Sequence, residues 1–247
     1  MNKSDRSLVS LIGKEAVEAD WELAFGGKSK GNRHLFRVNT IAKYLQKIEG
    51  GDLFVVLCGA WVHDVALVSG SDYDQDRVRK ETEKFLNSFK GLDRDRKLQI
   101  VECAVGHEQN NGDLTVEAKI VRDADAIDKM GALGVIRHIW KMTNMLENRV
   151  LNGKKDLDNL RTHLDSRVTG FMTQGGKELA EKLKAGKELF FKLKNAEQVM
   201  NEISVMAMEG RTSDFIASHV SRRQKNDWAR LLENQLTCKY LENNKKV

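Results

Sequence analysis

Apolar residues return at helical spacing along almost the whole chain. Val38, Ile41, Ala42 and Leu45 fall three and four positions apart, and Leu53, Val56, Leu57 and Ala60 repeat the interval. Ile100, Cys103 and Ala104 continue it, and one long helical stretch is predicted from 115 to about 140. Glycine punctuates the pattern. Gly26 and Gly27 precede a helix that contains His34, and Gly50 and Gly51 separate it from a helix leading into His63. Residues 68–76 are polar and glycine-bearing and read as a loop just after the His63-Asp64 pair.

Beyond residue 150 the run KELAEKLKAGKELFFKLKNAEQVM predicts one or two exposed amphipathic helices, and 213–247 a further helix with a charged tail. Strand patterns are weak, and there is no repeat or linker. The expected architecture is all-α: a helical core over 1–195 and a helical extension over 196–247. Trp228, Leu231, Leu232 and Leu236 would pack that extension on the same domain or form a homodimer.

Composition narrows the class. Of 247 residues 40% are hydrophobic and 31% charged, a globular profile, and the absence of proline suits helices with short connections. Net charge is +5, from 41 basic and 36 acidic residues spread along the chain, which gives no sign of specific nucleic-acid binding. Three unpaired cysteines, Cys58, Cys103 and Cys238, read as reduced thiols of a cytoplasmic protein. The charged N-terminus lacks a signal-peptide core, and no run approaches the ~20 apolar residues that cross a bilayer.

Several ionisable residues fall on the apolar stripes. His34 lies four before Val38 and seven before Ile41, His63 seven after Val56, and Asp64 four after Ala60. His107 is four after Cys103, Asp125 four after Val121, and Asp128 one turn beyond. One buried histidine is ordinary. Two carboxylates buried beside two imidazoles are not, because the carboxylates repel and lose hydration worth several kcal/mol each. One divalent cation would resolve this, and a mixed nitrogen–oxygen shell suits Mn, Fe, Co, Ni or Zn, with Mg also admissible, better than Ca.

The order His34, His63-Asp64, then Asp125 within EAKIVRDADAID resembles the H…HD…D signature of the HD-domain metal-dependent phosphohydrolases. HLFRV at 34–38, EAKIVRDADAIDKMGALGVIRHI at 117–139 and MTQGGKELAEKLKAGKELFFKL at 172–193 are similar to further stretches of stand-alone members, so the resemblance covers about 20–195. It implies His34, His63, Asp64 and Asp125 as ligands of one metal ion. Asp123 competes for the last place. Asp125 is preferred because it fits the Ala-Asp-x-Ile frame and lies on the apolar stripe, leaving Asp123 to the helix surface or to support of a ligand.

The resemblance further implies hydrolysis of a phosphoester or phosphoanhydride of a small phosphorylated compound, a nucleotide by preference. Arg37 and Lys119 would meet phosphate and its developing charge. His107 would contact substrate or protonate the leaving group, and Asp128 would orient water or hold Arg37. One departure stands out: many relatives follow the HD pair with glycine and lysine, and here the text is HDVALVSG. A non-catalytic HD module that binds metal or nucleotide in a regulatory role, and a helical scaffold with a hydrogen-bonded polar core, remain as alternatives.

Overall fold

The computed structural model describes residues 1–70, 73–109, 113–166 and 170–242, and among them there are helices and turns but no strand. Local chemistry accounts for several helix starts. α1 (Lys3–Glu22) is capped by Asn2, α3 (Leu53–Val62) by Asp52, α4 (Gln75–Leu86) by Asp74 and α5 (Arg94–Gly106) by Asp93. Each cap side chain accepts a backbone N–H of the first turn, satisfying a donor that the helix itself cannot. α2 (His34–Glu49) completes the N-terminal set.

Contacts group the chain into two compact units. The first comprises Met1–Lys28, His34–Asp125 and Gly170–Lys177. Its centre is α3, whose residues Phe54–Ala60 and Val62 are all buried, with α1, α2 and α5 packed around it and α4 on α5. A helix apolar on every side has to be enclosed this way. Gly59 lets α5 come close: a Cβ there would stand 2.6 Å from the Cβ of Cys103. α6 (Val116–Asp128) supplies the remaining inward face of this unit as far as Asp125.

The second unit comprises Ser29–Arg33, Ala126–Thr169 and Glu178–Val247. Its centre is α7 (Gly131–Lys141), buried from Gly131 to Trp140. Around it lie α8 (Gly153–Asp165), α10 (Ala185–Phe191), α11 (Ala196–Met208), α12 (Ser213–Arg223) and α13 (Asp227–Leu236). α9 (Gln174–Leu183) and α14 (Lys239–Glu242) complete the chain. Trp228 and Leu232 are buried in this core and Leu231 and Leu236 pack against it, so the apolar face of α13 is covered by its own chain.

Three expectations about helices need correction. The stretch 115–140 is two helices, broken where Met130 is extended and Gly131 takes φ +73. Gln235 holds the break, its amide accepting Leu133 N–H and donating to the Met130 carbonyl. Gly131 marks the break locally, and Gln235, more than a hundred positions away, ties its two sides together. Residues 177–200 run through three helices, α9, α10 and α11, and their apolar residues Leu179, Phe190, Val199 and Met200 are buried rather than exposed. The segment from 213 holds α12, α13 and α14, while the expected charged tail at 243–247 lies outside the described residues. The loop expected at 68–76 begins as a 3-10 turn (Val65–Ser69), and its residues 71 and 72 lie outside the described residues.

Candidate metal centre

His34, His63, Asp64, His107 and Asp125 all belong to the first unit, and all sit at or near helix ends except Asp125. His34 is the first residue of α2. His63 is not inside its helix as the spacing predicted: it is the C-cap of α3, and Asp64 follows at φ −95, ψ 6, where the chain passes into the 3-10 turn. His107 is likewise the C-cap of α5. The last carbonyls of a helix have no intrahelical donor. The two cap histidines supply one: His63 Nδ1 donates to the Ala60 carbonyl at 3.0 Å, and His107 Nδ1 to the Ala104 carbonyl at 2.6 Å. Since a carbonyl only accepts, the proton sits on Nδ1 in both rings, and the neutral ring turns an Nε2 lone pair away from its helix. Burial pushes the His63 pKa down, which keeps that lone pair available.

Those lone pairs converge. His63 Nε2 lies 3.3 Å from His34 Nε2. Asp125 Oδ1 stands 3.2 Å from His34 Nε2 and 3.9 Å from His63 Nε2. Asp64 Oδ2 is 3.4 Å from His34 Nε2 and 3.5 Å from His63 Nε2. Around an ion bound at about 2.1 Å, neighbouring donors stand about 3.0 Å apart in an octahedron and about 3.4 Å in a tetrahedron. The two imidazole nitrogens and the Asp125 oxygen at these separations fit a divalent transition metal or Mg and form a compact buried group of possible ligands, with Asp64 beside both imidazoles. Burial raises the Asp64 pKa, but the positive charge that His63, His34 and His107 carry when protonated outweighs it and holds the carboxyl below the ordinary carboxylate range. Asp64 is also the most accessible of the four, with 15% of its side chain exposed against 4% or less for the others.

The other expected residues divide. His107 is brought to the group: its ring centroid is 5.1 Å from that of His63, and its Nε2 lies 3.8 Å from Asp64 Oδ1. Arg37 stands one turn after His34 and is partly exposed. Lys119, also partly exposed, precedes Asp125 by six residues, which turns it roughly 120° away around α6. Asp128 is counted with the second unit and is ion-paired with Arg137 at 3.2 Å, both side chains buried.

Asp123 departs from the surface position considered for it: it is fully buried, on the opposite side of α6 from Asp125. It accepts the backbone N–H groups of Met172 and Thr173 and the Thr173 hydroxyl, and Arg122 lies against it at 3.3 Å. Arg122 in turn donates to the carbonyls of Gln109 and Gly170. Sequence reasoning gave Arg122 no role. The available signal was the DAD spacing: acids two apart on a helix face about 200° apart and cannot share a duty. The Ala-x-x-His spacing at 60–63 and again at 104–107 was a second overlooked signal.

The model of the HD domain family matches residues 32–130. The uncharacterised protein YpgQ of Bacillus subtilis is 31% identical over 132 residues, 52% of this chain, and the match spans 59% of the relative's length. The crystal structure of YpgQ in complex with ADP superposes with a TM-score of 0.54 at 21% identity, covering 76% of this chain and 93% of that one. A Lactobacillus plantarum protein of solved structure gives 0.57 at 21% identity, covering 80% and 98%. At such identities the structural likeness establishes the fold. Burial pushes the Cys58 and Cys103 thiols up.

Proposed function

We propose that the protein is a metal-dependent phosphohydrolase cleaving a phosphoester or phosphoanhydride bond of a nucleotide or a similar small phosphorylated compound. The observation that carries the reading is the convergence of His34, His63, Asp64 and Asp125 donor atoms at 3.2–3.9 Å within the stretch that the HD domain family matches. The ADP complex of the related YpgQ supports a nucleotide as ligand class. His34, His63, Asp64 and Asp125 would hold one divalent ion, which when bound supplies Lewis acidity towards water and a phosphoryl oxygen.

The chain's own residues do the rest. The Nδ1 bonds of His63 and His107 fix ring orientation before substrate arrives. Asp64, the most exposed of the four, marks the side from which substrate and water reach the group. His107 is the proposed general acid for the leaving oxygen, a role in which its Nε2, 3.8 Å from Asp64 Oδ1, must first take up a proton from water. Arg37 and Lys119 are the cations proposed to meet phosphate. The setting proposed is the cytoplasm, consistent with three free cysteines. Among the described residues no helix is long and apolar enough to cross a membrane.

The test is a screen of purified protein with Mn, Co, Ni or Mg against nucleotides and phosphoesters, reading phosphate and pyrophosphate release. Metal-dependent release that is lost on chelation and in Asp64→Ala is the expected result. Full metal occupancy without turnover across the panel would sink the hydrolase and favour the regulatory HD module, a reading supported by HDVALVSG, which lacks the glycine and lysine that follow the HD pair in many members of that family.

A further inference from the structure

Arg122 buries a guanidinium inside the first unit and aims it at three acceptors of that same unit. Its Nε donates to the Gln109 carbonyl at 2.5 Å, and its Nη1 to the Gly170 carbonyl at 2.8 Å and to Asp123 Oδ1 at 3.3 Å. The bond to Asp123 pairs two opposite charges. The Nε bond does something else, because Gln109 lies two residues past His107. Arg122 itself stands three residues before Asp125, one turn away on the same helix, α6.

The Gln109 carbonyl is the far side of the turn that carries His107. α5 ends at Gly106, His107 is its C-cap, and the Gln109 N–H donates back to the Gly106 carbonyl at 3.1 Å. The Nδ1 bond to the Ala104 carbonyl fixes the His107 ring to its own helix, so the ring goes where the end of α5 goes. Two features set that end against α6. Gly106 permits a close approach, since a Cβ there would stand 3.1 Å from Leu114 Cδ2 and 3.4 Å from Ala118 Cβ. Arg122, one turn beyond Ala118, then grips the turn through a charge-assisted bond. We propose that Arg122 is a positioning residue for His107: by holding the Gln109 carbonyl it fixes the His107 imidazole against the helix that carries Asp125. The catalytic value of this placement rests on the hydrolase reading above, whereas the placement itself does not.

The test uses the full chain with Arg122→Lys and Arg122→Met, beside Thr173→Val. Lysine keeps a charge near Asp123 but lacks the fork that reaches several acceptors at once, and methionine removes both charge and donors. Thr173→Val takes one donor from Asp123 and loosens the 173–176 turn without touching Gln109. The His107 imidazole signals are followed by NMR in metal-free protein, Mn(II) affinity by titration calorimetry, and kcat and KM on the compound of the panel turned over fastest. The His107 signals should shift in both Arg122 variants and stay in place in Thr173→Val. A fall in kcat of about ten-fold in Arg122→Lys and about a hundred-fold in Arg122→Met is expected, with KM and Mn(II) affinity within about three-fold of the parent. Thr173→Val should lower Tm and keep kcat. Arg122→Lys serves should Arg122→Met fold poorly. His107 signals that stay in place in Arg122→Lys, or shift equally in Thr173→Val, would overturn the proposal. So would Mn(II) affinity that falls in step with kcat, which would tie Arg122 to Asp125 instead. A parent protein that turns over nothing in the panel would overturn the hydrolase reading, and the NMR arm would still decide the positioning.

Discussion

Each of the two compact units is built around one helix enclosed by its neighbours, α3 in the first and α7 in the second. Each buries an acid against a guanidinium, Asp123 against Arg122 in the first and Asp128 against Arg137 in the second, but the first also gathers acids among imidazoles. α7 carries Arg137 in its middle, and Asp128 meets it at 3.2 Å, so a buried cation faces a buried anion. Asp156 of the same unit is met by both guanidinium nitrogens of Arg149 at 2.7 and 2.8 Å. In the first unit α3 stays apolar to its end and then presents His63 and Asp64, whose nearby groups are imidazoles and another acid, Asp125. The difference teaches that burial of an acid is not itself a functional sign. The kind of group opposite it is: a guanidinium completes the pair, whereas converging lone pairs call for a cation.

The largest effect should come from removing a carboxylate on the metal side. Asp125→Ala is expected to abolish metal binding and to lower phosphate release by about a thousand-fold or more, read by metal analysis and a phosphate assay. Metal-free Tm is measured beside them. Arg137→Met should show the reverse pattern. Leaving Asp128 buried without its guanidinium costs about 3–5 kcal/mol, measurable by urea unfolding, while metal bound per folded molecule stays unchanged. If both variants lost stability alike and metal alike, the contrast between the units would fail.

A smaller effect sharpens the role of α3. Gly59→Ala would force Cys103 away and should cost about 1–3 kcal/mol. Because α3 ends at His63, a measurable loss of metal affinity should accompany it. The smallest effect concerns Asp156, whose pKa is held at about 2 by Arg149, below the ordinary 3.8. A depressed carboxyl contributes stability above its unfolded pKa and loses it as pH falls through the folded one. Asp156→Asn should therefore cost about 1 kcal/mol near neutral pH, discounted because Arg149 is half exposed. The two stability curves should converge between pH 4 and 2, as acid unfolding monitored by circular dichroism would show.

What the sequence by itself determined was periodic or contiguous: an all-helical chain, the inward stripes of α2, α3 and α5, and the adjacency of His63 and Asp64 within an H…HD…D order. Periodicity reports which face of a helix is buried because the residues that decide it are close in sequence. Only the tertiary structure decided where helices stop and which way side chains turn. Gln235 ties the two sides of the break at Met130, the Ala60 and Ala104 carbonyls set the proton positions of His63 and His107, and the Ser213 hydroxyl holds the Asn32 carbonyl. Each of these depends on one or two hydrogen bonds, to groups from three to about 180 residues away. A single bond of that kind leaves no repeating pattern in the chain, so it becomes visible only when the helices are packed.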